Sequence, residues 1–122
     1  MTESDLKQRF KAFALRIIAF VDAMPTTQLS TTTILKQIIR SGTSPYANYC
    51  AACLAKSEKD FLNKLKMVEE ELDETLRWTN LLVDSGKVNT AFMDPIIKEN
   101  EELLKIIVSS IVTIRNKINS KN

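Results

Sequence analysis

Apolar residues recur along this chain at steps of three and four, the spacing that lines one face of an α-helix. Leu6, Phe10, Phe13, Ile17, Phe20, Val21 and Met24 keep that period until Pro25 stops it, and Ser4 or Asp5 stands where a cap belongs. A first helix is therefore expected over about 5–24. After a connection rich in Ser and Thr, Leu35, Ile38 and Ile39 give the buried side of a second helix, beginning near Thr31 and reaching about 56. Gly42 and Pro45 interrupt it. From the residues alone it breaks there, with Ser44 capping a new helix and Pro45 in its first position, where the missing N–H does no harm.

Phe61, Leu65, Val68, Leu72 and Leu76, then Thr79 and Leu82 or Val83, define a third helix over about 58–85. Ser57 and Asp60 make a short capping pattern at its start, and Gly86 is positioned to end it in a left-handed conformation. Trp78 lies on or beside the seam and is expected in the core. The fourth helix starts at Asn89 or Thr90, or else at Asp94 with Pro95 in the first position. The second option is preferred, giving about 94–118. Its apolar side holds Ile97, Leu104, Ile107, Val108, Ile111, Ile114 and Ile118, while Leu103, Ile106 and Val112 fall on other sides. A helix apolar over more than about 100° of its circumference needs a second partner. Leu103, Ile106 and Val112 are accordingly expected at an interface between copies of the chain.

A length of 122 residues fits one domain, and two glycines and three prolines favour long helices over a turn-rich sheet. No apolar run approaches the ~18 residues of a membrane span, and Met1–Asp5 is too short and polar for a signal peptide. A cytoplasmic location without membrane contact is expected. Cys50 and Cys53 form a C-x-x-C, yet the chain has no histidine and no other cysteine to complete a metal site. They read as small hydrophobes on one helix face, and no metal or other cofactor is expected. Glu69, Glu70, Glu71, Asp73 and Glu74 form an acidic run. Asp73 with Arg77 and Lys66 with Glu70 suit a solvated face, and without histidine the Glu-x-x-His pairs of di-iron bundles are impossible. No catalytic residue is nominated.

Between Arg40 and Trp78 stand RSGTS, ANY, a small-residue run ending at Ser57, then DFLNKL and ETLRW. In this order and spacing they resemble the four-helix-bundle proteins encoded within intervening sequences of 23S ribosomal RNA genes, a resemblance extending from about Leu6 to Lys117. It implies an all-α, antiparallel up-down-up-down four-helix bundle, with one helix running kinked through Gly42–Pro45. It also implies homopentameric assembly and no enzymatic activity. The matching positions are Arg40, Ser41, Ser44, Asn48, Ser57, Asp60, Phe61, Lys64, Glu74 and Trp78. Where the pattern has glutamate three residues after the asparagine, this chain has Ala51, so Asn48 and Arg40 need other partners. Arg40, Ser44, Asn48, Asp60 and Lys64 are expected to form a polar cluster bracketing the second hairpin.

Charge is segregated: residues 1–57 carry net +4, residues 58–102 net −6 and residues 103–122 net +4. In an up-down-up-down bundle the start of the first helix, the second turn and the end of the fourth helix share one pole. That pole collects Lys7, Arg9, Lys11, Lys56, Lys59, Lys64, Arg115, Lys117 and Lys121 against Glu3, Asp5, Glu58 and Asp60, a surplus of five positive charges. Such a pole attracts RNA or DNA phosphates, although aromatic residues for base stacking are missing from it. The expected function is that of a non-enzymatic homo-oligomer binding RNA or DNA there. A protein-protein adaptor or scaffold without nucleic-acid binding is the alternative.

Overall fold

The computed structural model describes residues 1–121. Four helices follow in order, α1 (Glu3–Ala23), α2 (Leu29–Cys53), α3 (Glu58–Asp84) and α4 (Thr90–Asn119), with no strand among the described residues. α1 begins earlier than the periodicity suggests because Thr2, rather than Ser4 or Asp5, is the cap. The Thr2 hydroxyl accepts from the Asp5 amide and the Asp5 carboxylate accepts from the Thr2 amide, both at 3.0 Å.

α2 does not break. It is helical without interruption through Gly42 and Pro45, as the resemblance implies and the local residues do not. The reason is tertiary: Gly42 sits at a close approach to α1, where an added Cβ would stand 2.9 Å from Cγ1 of Ile17, and Pro45 is buried on the same face. α3 opens with the Ser57 hydroxyl accepting from the Asp60 amide at 3.1 Å, and Gly86 follows it at φ +77°. α4 begins at Thr90 and not at Asp94. Asn89 caps it, its side-chain oxygen accepting from the Ala91 amide at 2.7 Å, and Pro95 lies inside the helix. Burial of Met93 and Ile96 holds this turn to the core, which outweighs the one hydrogen bond that Pro95 removes.

Each helix packs on its two neighbours in the order α1–α2–α3–α4–α1 and none reaches across the diagonal, the arrangement of a four-helix bundle. The α1–α4 contact is the sparsest of the four. Phe10, Phe13, Ile17, Ile38, Leu65, Leu72 and Ile107 fill the interior, with Phe10 stacked on Tyr49 at a ring separation of 5.1 Å. The inward arc of α4 runs through Met93, Ile96, Asn100, Leu103, Ile107, Ile111 and Ile114. Leu103 is therefore 0% exposed, sealed in its own core, and is not available to a second copy. Ile106 is half-buried against the core, whereas Val112 is 52% exposed. No helix among the described residues is long and apolar enough to cross a membrane.

Candidate functional site

The start of α1, the α2–α3 turn and the end of α4 do meet at one pole. Glu3, Cys53, Lys56, Ser57, Glu58, Ile114 and Lys117 line a shallow cavity of about 330 Å³ there. Glu58 is the centre of its electrostatics. It pairs with Lys117 at 3.2 Å and with Lys121, and these two ammonium groups hold its carboxyl below the usual range.

Arg9 is drawn away from the open pole. Its guanidinium is half-buried and reaches Glu99 of α4, with Nη2 donating to Oε1 at 2.6 Å and Nε to Oε2 at 3.3 Å; that carboxylate raises the pKa of Arg9. Of the other expected cations, Lys11, Lys56, Lys59 and Arg115 are exposed and Lys7 and Lys64 half-buried. None of these six has an ion-pair partner among the described residues. Without Arg9 the set expected at the pole is eight basic side chains against four acidic ones. Asp5 is engaged in capping α1, and its pKa is lowered chiefly by the backbone amide of Thr2.

A second polar group lies along the α2–α3 seam. The antiparallel register sets Ser41 opposite Thr75, their hydroxyls 2.9 Å apart. Arg40 pairs with Glu74 and donates to the Gln37 side chain at 3.0 Å. Trp78 donates from Nε1 to the same Glu74 oxygen at 2.9 Å. Asn48 donates to Glu71 at 2.8 Å. Arg40, Ser44 and Asn48 thus gather around Glu71 and Glu74 in the middle of α3, while Asp60 and Lys64 stay at its first turns, out of reach in this register. The partners that Ala51 left open are Glu71 for Asn48 and Glu74 for Arg40.

Burial raises the pKa of Glu71, an effect that Asn48, Ser44 and Arg40 partly oppose. The acidic run is therefore divided. Asp73 pairs with Arg77 at 2.9 Å on the exposed side, no Lys66–Glu70 pair forms among the described residues, and Glu71 and Glu74 turn toward α2. Their spacing with Trp78, three and then four residues, put all three on one flank of the helix and was the signal for this.

Donors and acceptors of the seam are taken up by one another, so its chemistry is that of a clasp between two helices. No group of three His, Cys, Asp or Glu side chains able to hold a metal occurs among the described residues. Cys50 and Cys53 are free and half-buried, and burial pushes the Cys53 thiol up.

Four helices clasped by a polar seam, with cations at one pole, define a small helical bundle protein whose outer surface carries its open chemistry. The chain belongs to the family described as 23S rRNA-intervening sequence protein, which it matches over residues 2–109. It is also similar to a crystallised Bacteroides thetaiotaomicron protein described as of unknown function and of the S23 ribosomal protein family. The two share 32% sequence identity with a TM-score of 0.83, over 91% of this chain and 98% of that one. No curated protein matches it.

Proposed function

We propose that this protein is a non-enzymatic, self-associating bundle of the cytoplasm that holds RNA or DNA phosphates on its basic pole. The single observation that supports this most is that the start of α1, the α2–α3 turn and the end of α4 meet at one pole, where Lys56, Lys117 and Lys121 lie. Each phosphate that a lysine or arginine neutralises releases condensed counterions, so binding of this kind needs no shaped pocket. The absence of stacking aromatics from the pole fits contact with the backbone more than readout of bases. Self-association is favoured by large apolar side chains left open on the outer faces of α1 and α4. The two free thiols suit a reducing compartment.

The test is titration of a labelled single-stranded RNA and a duplex DNA with the protein over a range of salt. Affinity is expected to fall steeply with salt. The double reversal Lys56→Glu with Lys59→Glu, both exposed and unpaired, is expected to weaken binding at least tenfold and to flatten the salt dependence by about 0.7 to 0.9 in logarithmic slope for each phosphate no longer neutralised. Affinity indifferent to salt and to these reversals contradicts the proposal and favours the adaptor reading.

A further inference from the structure

The phosphate-holding pole proposed above is the premise of this inference, which names the group already seated in it. Lys117 lies in the last turn of α4 and Lys121 just beyond its end, and both ammonium groups reach the start of α3. Like charges four residues apart repel each other, and one anion between them relieves both. Glu58, the first residue of α3, is that anion: Lys117 stands 3.2 Å from its Oε2, and Lys121 donates to its Oε1. Ser57 keeps it in place, because its cap on the Asp60 amide fixes where the first turn of α3 begins.

The fit is one of charge more than of alignment. Glu58 Oε2 is closed off from solvent and accepts no hydrogen bond, its contact with Lys117 being an ion pair only. A phosphodiester carries what this carboxylate carries, one negative charge shared by two unsubstituted oxygens, and lysine binds either as a point charge. The side chains of Lys117 and Lys121 remain 62% and 60% exposed within the pair, so an anion from solution meets them without any helix moving. Lys56 lines the same cavity as Glu58 and Lys117 and has no ion-pair partner among the described residues. A strand held at Lys56 brings its next phosphates to the clamp.

We infer that Lys117 and Lys121 are a phosphate-binding pair of the pole, and that Glu58 occupies the pair in the free protein as a built-in competitor that a polynucleotide displaces. Exposed ion pairs of this kind are weak enough to exchange. The exchange favours chains of phosphates: a lone phosphate ion gains only what Glu58 gives up, whereas a strand also engages Lys56.

Titration of a labelled single-stranded RNA at fixed salt tests this, with thermal melts establishing that each variant folds. Glu58→Gln keeps the shape and removes the charge, and is expected to tighten binding roughly threefold to tenfold, the strength of two exposed ion pairs; Glu58→Ala is a second variant with the same expected direction. Asp60→Asn removes an unpaired charge from the same turn and frees no lysine, so its gain is expected to stay below about twofold. In a protein already carrying Lys117→Gln and Lys121→Gln, Glu58→Gln is expected to add no more than Asp60→Asn does. A Glu58→Gln protein that binds like wild type, a gain that Asp60→Asn matches, or a gain that survives loss of both lysines overturns the competitor while the phosphate-holding pole stands. Binding by Glu58→Gln where wild type binds nothing supports it. If neither protein binds RNA, the pole holds no phosphates and the lysine pair falls with it.

Discussion

Gly42 and Asn100 are both readable as letters in the chain, and neither letter reveals what it meets. A Cβ on Gly42 would stand 2.9 Å from Cγ1 and 3.0 Å from Cγ2 of Ile17, a fully buried β-branched side chain with no other rotamer to adopt cheaply. Gly42→Ala gains about 1 kcal/mol in helix propensity but incurs an overpacking cost of about 1–3 kcal/mol. The expected net effect is a loss of about 1 kcal/mol in a denaturant melt, and a clear gain contradicts the close approach. Asn100 is the reverse case. It is fully buried on the inward face of α4, and neither its side-chain oxygen nor its nitrogen meets a protein partner. Burying such an amide costs about 1–3 kcal/mol. Asn100→Leu keeps the branching and removes the polar atoms, so stability higher by about 1–2 kcal/mol is expected in a denaturant melt; a drop in stability indicates that the amide holds a polar contact of its own. The structure sets Asn100 on the inward arc between Ile96 and Leu103, a line that the apolar spacing of Ile97 and Leu104 does not pick out. The missing partner is visible only once the neighbouring helices are in place.

Between elements, the α2–α3 clasp gives stability a dependence on pH. Burial holds the Glu71 carboxyl above its ordinary 4.5, so the folded chain binds that proton more tightly than the unfolded chain does. Its contribution is full below pH 4.5 and is lost as pH rises through the folded-state value, leaving the charged carboxylate a cost at neutral pH. Glu71→Gln retains an acceptor for Asn48 and removes the charge. Its melting temperature is expected about 2–4 °C above wild type at pH 7, with the difference closing as pH falls below 4.5. Parallel melting curves across that range contradict a buried Glu71 carboxylate. Glu58 works in the opposite sense: Lys121 and Lys117 hold it below 4.5, so what it contributes is present above that value and lost in acid. The four helices were legible because apolar spacing is local. The continuity of α2 was legible only through the resemblance, because Gly42 and Pro45 both argue for a break until Ile17 and the core give them a reason to be helical.

At the scale of the whole molecule, the meeting of Glu58 with Lys117 and Lys121 followed from topology, since an antiparallel chain returns the end of α4 to the start of α3. The pole also shows what topology leaves open. Arg9 belongs to it by position along the chain and leaves it by its pairing with Glu99. Glu71 and Glu74 belong to an acidic run by sequence and leave it by facing α2.

The amino-acid sequence by itself determined the number and order of helices, the faces that α1, α2 and α3 bury and the separation of charge along the chain. These depend on residues within a turn or two of one another, and a period of 3.6 records them directly. Only the tertiary structure decided that Leu103 points inward, that Arg9 reaches α4, and that Arg40 and Asn48 clasp Glu74 and Glu71. Each depends on the rotation of one helix about its axis and its register against another, which are fixed by packing the whole core at once and leave no trace in local spacing.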